Sequence, residues 1–97
     1  MTEAEYQKKF TDKLKKIFPG SEILKNDSRY KQGIPDWTFY YGNKYGMLEI
    51  KKDIDASHQP NQDYYIEEFK NKGAFSAFVY PENEEEIIEA MKIHFNN

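Results

Sequence analysis

Two short segments of this 97-residue chain carry side chains that can do chemistry together. The first segment contains Asp36, directly after a proline, and the second contains Glu49 and Lys51, separated by one apolar residue. Because alternate side chains of a β-strand share a face, Glu49 and Lys51 are expected to project together. Two charged side chains on one face of an otherwise buried strand need an explanation, since unpaired buried charges are costly.

The carboxylates of Asp36 and Glu49 are expected to meet across a hairpin. Residues 35–41 and 47–52 flank a Gly-Asn turn signal, which predicts two paired strands. Two neighbouring carboxylates repel each other, and a divalent cation removes that repulsion; oxygen ligands suit Mg²⁺ or Mn²⁺. A neighbouring lysine can hold a water molecule or stabilise charge on a phosphate. The residue types therefore indicate metal-assisted hydrolysis of a phosphate ester.

The rest of the chain predicts the elements that must position these residues. Hydrophobic periodicity and turn signals indicate seven of them. They are a helix over 3–18, strands over 21–25, 35–41 and 47–52, a helix over 61–72, a strand over 74–80 and a helix over 84–95. Asn83 followed by Glu86 fits a capping box for the last helix. The order αβββαβα predicts an α/β fold with a central mixed sheet flanked by helices.

Length and composition limit the classes of protein. A chain of 97 residues is expected to form one domain, 1–97, because two independent cores would not fit. The absence of cysteine excludes a disulfide scaffold, a thiolate zinc site and a cysteine nucleophile. No apolar stretch is long enough to cross a membrane, and the charged first residues are unlike a signal peptide. These features favour a cytoplasmic protein.

Charge is divided unevenly along the chain. Residues 1–52 carry 11 lysines and arginines against 7 acidic residues, whereas residues 53–97 carry 3 against 10. A basic half can present an attractive face to phosphate although the net charge is −3. Five side chains beside the two motif segments are candidates for phosphate contacts, with a solvated loop as the alternative. They are Lys25, Asn26, Arg29, Lys31 and Lys52.

The motif and its surroundings resemble the PD-(D/E)XK nuclease superfamily. Pro35-Asp36 is followed, thirteen positions after the aspartate, by Glu49-Ile50-Lys51. The segments QGIPDWTFYYGNKYGMLEIKK and QPNQDYYIEEFKNKGAFSAFVYPENEEE are similar to the VRR-NUC branch, which includes small virus-type nucleases similar to Holliday junction resolvases. The resemblance implies a restriction-endonuclease-like core and Mg²⁺- or Mn²⁺-dependent hydrolysis of phosphodiester bonds in DNA.

The resemblance also implies roles for the motif residues. Asp36 and Glu49 would be metal ligands, and the backbone carbonyl of Ile50 would be a third. Lys51 would assist the attacking water. The five phosphate-contact candidates would then bind DNA.

Two further polar residues match the family outside the motif. Gln62, which begins the later helix, would be a catalytic residue near the site, with Gln59 as the alternative because the two lie three positions apart. Glu3 matches a first-helix glutamate and would reach the metal directly or through water. Glu5 is the alternative to Glu3, although helical geometry rotates it away from the apolar face.

The expected activity is that of an endonuclease on branched DNA, similar to a Holliday junction resolvase. A homodimer is expected, because a symmetric pair of sites can cut two strands of a junction. A compact nuclease of this kind suggests a phage or another mobile element, acting in the host cytoplasm. The alternatives are a nickase, a flap or restriction-type nuclease, and a nucleic-acid-binding module without catalysis.

Overall fold

Helices and strands follow one another in the predicted order. The computed structural model describes residues 1–97, and one turn of 3₁₀ helix at Pro81–Asn83 is its only unpredicted element. The helices are α1 (Glu3–Ile17), α2 (Gln62–Asn71) and α3 (Glu84–Phe95). The strands are β1 (Glu22–Lys25), β2 (Trp37–Tyr41), β3 (Lys44–Ile50) and β4 (Phe75–Val79). None of the helices has the length and apolarity needed to cross a membrane.

The four strands form one mixed sheet in the order β1-β2-β3-β4, which confirms the predicted sheet type. β2 pairs antiparallel with both β1 and β3, whereas β3 and β4 are parallel. Only two residues separate β2 from β3, and Gly42 supplies the positive φ of 61° that so tight a hairpin turn needs. Pairing therefore resumes at Lys44, three positions before the predicted start of this strand.

The core lies between one face of the sheet and helices α1 and α3. Tyr6, Phe10 and Leu14 form the buried stripe of α1, as the helical period predicts. Aromatic rings fill the centre: the Phe39 ring centroid lies 5.3 Å from that of Phe18 and 4.9 Å from that of Phe95, both in edge-to-face arrangements. The high aromatic content of the chain thus supports a small core.

The first and last helices begin in different ways. Helix α1 begins with a capping box, in which the Thr2 hydroxyl accepts from the Glu5 N–H and the Glu5 carboxylate accepts from the Thr2 N–H. The predicted capping box at Asn83 is wrong, because its side chain makes no bond to the first turn of α3. Asn83 instead accepts from the Tyr80 N–H and donates to the Phe78 carbonyl, which closes the 3₁₀ turn.

Neighbouring residues of β2 provide a test of this core. Phe39 is fully buried, whereas Tyr40, on the opposite face of the strand, is 46% exposed. We expect Phe39→Ala to lower the free energy of unfolding by about 3–5 kcal/mol, because it leaves a cavity among aromatic rings. Tyr40→Ala should cost about 1 kcal/mol or less. Urea denaturation of both variants measures the difference, and equal losses would contradict the assigned faces.

Candidate active site

A polar pocket of about 410 Å³ opens where β2 begins and β3 ends, beside the N-terminal ends of α1 and α2. Only one of its eleven lining residues is hydrophobic. The lining residues are Glu3, Ser28, Arg29, Gln32, Gly33, Ile34, Asp36, Glu49, Lys51, Gln59 and Gln62. The fold therefore gathers the predicted carboxylates, the lysine and both candidate glutamines around one space.

The pleat of β3 presents Glu49 and Lys51 to this pocket. Leu48 and Ile50 are fully buried in the core on the other face, as the period of two predicts. Glu49 is only 1% exposed and Lys51 only 6%. The Lys51 ammonium lies 3.9 Å from the Glu49 carboxylate and donates to the Ser57 carbonyl at 3.2 Å.

Asp36 reaches the same point from the neighbouring strand. It lies directly before Trp37, whose partner in the ladder is Leu48, so the next position across from Asp36 is Glu49. The Asp36 N–H donates to the Glu49 carboxylate at 3.3 Å. The Asp36 carbonyl accepts from the Asn26 N–H at 2.7 Å, which ties this end of β2 to the preceding loop.

Burial dominates the electrostatics of the Glu49 carboxyl. Loss of water and the nearby charge of Asp36 raise its pKa to about 8, and the ammonium of Lys51 offsets only part of that shift. Glu49 is therefore largely protonated near neutral pH when no cation is present. The carboxyls of Asp36 and Glu49 are adjacent, and that of Glu49 is buried. Together they supply oxygen ligands that fit a hard divalent cation such as Mg²⁺ or Mn²⁺.

The backbone carbonyl of Ile50 is the third predicted ligand. The Lys51 N–H of the same peptide donates to Val79 in β4 at 2.8 Å, so the Ile50 oxygen points away from β4 across the trans peptide plane. It accepts one hydrogen bond, from the side-chain amide of Gln7 at 3.0 Å. Since a carbonyl oxygen has two lone pairs, one acceptor position remains for a cation.

The two candidate glutamates of α1 have different surroundings. Glu3 lines the pocket and accepts from the Lys52 N–H at 3.2 Å, whereas Glu5 is exposed and used in the capping box. No three histidine, cysteine or acidic side chains are grouped to hold a metal by themselves. The geometry favours Glu3 over Glu5 as the carboxylate that α1 brings to the pocket.

Both candidate glutamines line the pocket, and they contact each other. Gln62 is the first residue of α2, is 7% exposed, and accepts through its side-chain oxygen from the Gln59 N–H at 2.8 Å. Its amide NH₂ has no partner within the chain, which leaves two donors for a ligand. Gln59 contributes only its backbone to this contact, so the geometry favours Gln62.

The five predicted phosphate contacts are not equivalent. Arg29 alone lines the pocket, and it is paired with Asp27 at 3.0 Å on the exposed loop. The ammonium of Lys31 lies 5.7 Å from the Tyr65 ring centroid, and Lys52 is exposed beside the pocket mouth.

Lys25 and Asn26 have structural contacts that the sequence does not reveal. The ammonium of Lys25 lies 4.8 Å from the Trp37 ring centroid. The Asn26 amide donates to the Pro35 carbonyl and the Thr38 hydroxyl, and accepts from the latter. Asn26 therefore braces the loop before Asp36, and its amide is not free to bind phosphate.

Gly33 is a site residue that charge and spacing do not single out. Its φ is +92°, and a Cβ placed there would lie 2.5 Å from the Asn61 Cβ and 2.6 Å from the Pro60 carbonyl oxygen. The loop before Asp36 thus packs backbone to backbone against the turn that leads into Gln62. The only sequence signal is the glycine itself, two positions before Pro35.

Comparison with solved structures identifies this architecture. A "VRR_NUC domain protein" superposes with a TM-score of 0.73 at 19% identity, over 97% of this chain and 90% of that chain. The chain has the VRR-NUC nuclease fold. A second structure, described as "VRR_NUC domain", gives a TM-score of 0.71 at 25% identity, over 92% of this chain and 97% of that chain. No family model and no curated protein matches the sequence.

The VRR-NUC nuclease fold confirms the restriction-endonuclease-like α/β architecture that the motif indicated. Since both chains align over nine-tenths or more of their lengths, the pocket lies within the shared fold.

The raised pKa of Glu49 predicts how stability depends on pH without a cation. Because its folded pKa is about 8, against 4.5 in the unfolded chain, the folded state holds the extra proton between these values. The contribution of Glu49 to stability is therefore fully present below about pH 4.5 and is lost as the pH rises toward 8. We expect a loss of about 2 kcal/mol or more between roughly pH 5 and pH 8, by the usual conversion of pKa shifts. Urea denaturation in chelator measures it.

Glu49→Gln is the matched control, since it keeps the shape and the acceptor but cannot ionise. Its stability should change much less over this pH range and exceed that of the wild type in alkali. Parallel profiles for the two proteins would show that the Glu49 carboxyl is not perturbed.

Gly33→Ala tests the packing of the two loops, with Gly42→Ala as its control. Both glycines have positive φ, but a Cβ at Gly42 meets nothing within 4 Å. Gly42→Ala should therefore cost only the backbone strain, about 1–2 kcal/mol. Gly33→Ala should cost more by at least about 1 kcal/mol, because backbone must move. Equal losses in urea denaturation would mean that the loops do not pack closely.

Proposed function

We propose that this protein with the VRR-NUC nuclease fold is a metal-dependent DNA endonuclease that hydrolyses phosphodiester bonds. The observation that carries the proposal is the buried Glu49 carboxyl, held beside Asp36 and 3.9 Å from the Lys51 ammonium in an open polar pocket. Buried charged groups are rarely the most stable way to fill space. A perturbed carboxyl with specific charged neighbours in a cleft is instead typical of a functional site.

The acidic residues and one carbonyl of this pocket would hold the cation. Asp36, Glu49 and the Ile50 carbonyl would supply oxygen ligands, and Glu3 would contribute through water. When bound, Mg²⁺ or Mn²⁺ supplies Lewis-acid activation and neutralises charge on the phosphate. Glu49 must give up its proton for this, and the ammonium of Lys51 stabilises the resulting carboxylate.

Lys51 and Gln62 supply the hydrogen-bond donors. An ammonium group has three donors, and one of those of Lys51 is used by the Ser57 carbonyl. The others are available to hold the attacking water or a phosphate oxygen, as charge on that oxygen grows. The free NH₂ of Gln62, positioned by the Gln59 N–H, is available to orient the same groups.

Branched DNA is the substrate that we propose. The pocket is open, Arg29 lines it, and Lys31 and Lys52 are exposed outside it, which suits contact with phosphates rather than base edges. We propose that two subunits act together, since a symmetric dimer places two sites for paired cuts in a four-way junction. The acidic start of α3 would lie away from the DNA, because Glu84, Glu85 and Glu86 line a separate cleft beside Tyr6.

Cleavage of a labelled substrate panel by the wild type and by Lys51→Ala tests the activity. Duplex, single-stranded, flap and four-way-junction DNA are incubated with Mg²⁺, with Mn²⁺ or with chelator. We expect metal-dependent cleavage, strongest on the junction. Lys51→Ala should lower the rate by about 100-fold or more, because it removes a donor to developing charge. Its DNA binding should remain within a few-fold of wild type.

Lys70→Ala is the matched control, since Lys70 lies on the exposed side of α2 and outside the pocket. It should cleave like the wild type. Preferential cleavage of flap DNA, or nicking of duplex DNA, would instead indicate a flap nuclease or a nickase. Binding without cleavage under every metal condition would mean that the fold serves as a nucleic-acid-binding module.

A further inference from the structure

Gln7 is a buried polar residue that the proposed chemistry does not use. It lies in the first half of α1 and is 7% exposed. Its side-chain NH₂ donates to the Ile50 carbonyl at 3.0 Å, and its side-chain oxygen accepts from the Lys25 ammonium at 3.4 Å. A carbonyl can only accept and an ammonium can only donate, so these partners fix the orientation of the amide.

The contact occurs where the sheet lacks a strand partner. The ladder between β2 and β3 ends at the pair Trp37 and Leu48, and the Ile50 carbonyl faces this side because the Lys51 N–H is bound to β4. Gln7 therefore supplies the hydrogen bond that another residue of β2 would otherwise supply. Without it, the last peptide of β3 would be held from one side only.

That peptide joins Ile50, whose carbonyl is a proposed metal ligand, to Lys51. Rotation of its plane would turn the Ile50 carbonyl and the Lys51 side chain relative to Glu49 and Asp36. Groups that hold a ligand-bearing segment in place commonly matter almost as much as the ligands themselves.

We propose that Gln7 is a positioning residue, which fixes the Ile50–Lys51 peptide and thereby sets the directions of the Ile50 carbonyl and the Lys51 side chain. The restraint on the peptide follows from the hydrogen bonds alone. Its importance for metal binding and cleavage rests on the proposed function. The further bond to Lys25 links this restraint to the basic groove between α1 and β1.

Gln7→Met tests the proposal, because methionine has a similar length and no donor. Thr11→Val is the control: Thr11 is 6% exposed, lies one turn along the same face, and its hydroxyl donates only to the Lys8 carbonyl of its own helix. Gln7→Glu is a second variant, which keeps the acceptor for Lys25 and loses the donor to Ile50. All variants are checked by thermal unfolding.

The first readout is hydrogen exchange of the Lys51 N–H in the metal-free protein, compared with the Leu14 N–H of α1. We expect both Gln7 variants to speed exchange at Lys51 by about 10-fold or more relative to Leu14, and Thr11→Val to leave the ratio unchanged. An unchanged ratio in a folded Gln7 variant would overturn the proposal, whether or not the protein is a nuclease.

The second readout is Mn²⁺ affinity by titration calorimetry. Gln7→Met should raise the Kd by about 10–100-fold, which is the usual effect of losing an outer hydrogen bond at a metal site. Wild-type affinity in this variant would overturn the role of Gln7 toward the metal. A wild type that binds no Mn²⁺ would refute the proposed metal dependence instead, and hydrogen exchange would still decide the restraint on the peptide.

Discussion

Removal of the Glu49 carboxyl from water determines the electrostatics of the whole pocket. Burial alone would keep this group protonated, and the adjacent Asp36 opposes its ionisation further. The ammonium of Lys51 provides one compensating charge but does not restore an ordinary pKa. On the function that we propose, a divalent cation would supply the remaining compensation.

The fold explains how the Glu49 carboxyl is kept buried despite this electrostatic cost. The opposite face of β3 carries Leu48 and Ile50, which are locked in the aromatic core, so the strand cannot turn Glu49 toward solvent. The loop around Gly33 and the turn before Gln62 pack against each other and line the pocket with the Glu49 carboxyl. Core packing and site geometry thus depend on the same strand, and the stability that the core provides offsets the cost of the buried charge.

Features that depend on local pattern could be predicted from the sequence. The element order follows from helical and strand periods, and the shared face of Glu49 and Lys51 follows from strict alternation. The proximity of Asp36 to Glu49 follows from a short hairpin. The start of β3 was predicted too late, because strand pairing begins at Lys44, directly after the two-residue turn.

Contacts between distant segments could not be predicted. Gln7 and Ile50 are 43 positions apart. No local sequence pattern predicts that a helix side chain will supply the hydrogen bond that a neighbouring strand usually supplies. The capping role expected of Asn83 failed for a related reason. Its side chain instead hydrogen-bonds the backbone of Phe78 and Tyr80 and closes the 3₁₀ turn. This turn depends on the path of the chain after Pro81, which the sequence does not show.

We propose that Asp36 and Glu49 share one divalent cation, which anomalous diffraction from crystals grown with Mn²⁺ would locate. We expect a single strong peak within about 2.0–2.5 Å of a carboxylate oxygen from each residue, near the Ile50 carbonyl. An empty pocket at saturating Mn²⁺, or a peak that contacts neither carboxylate, would contradict it.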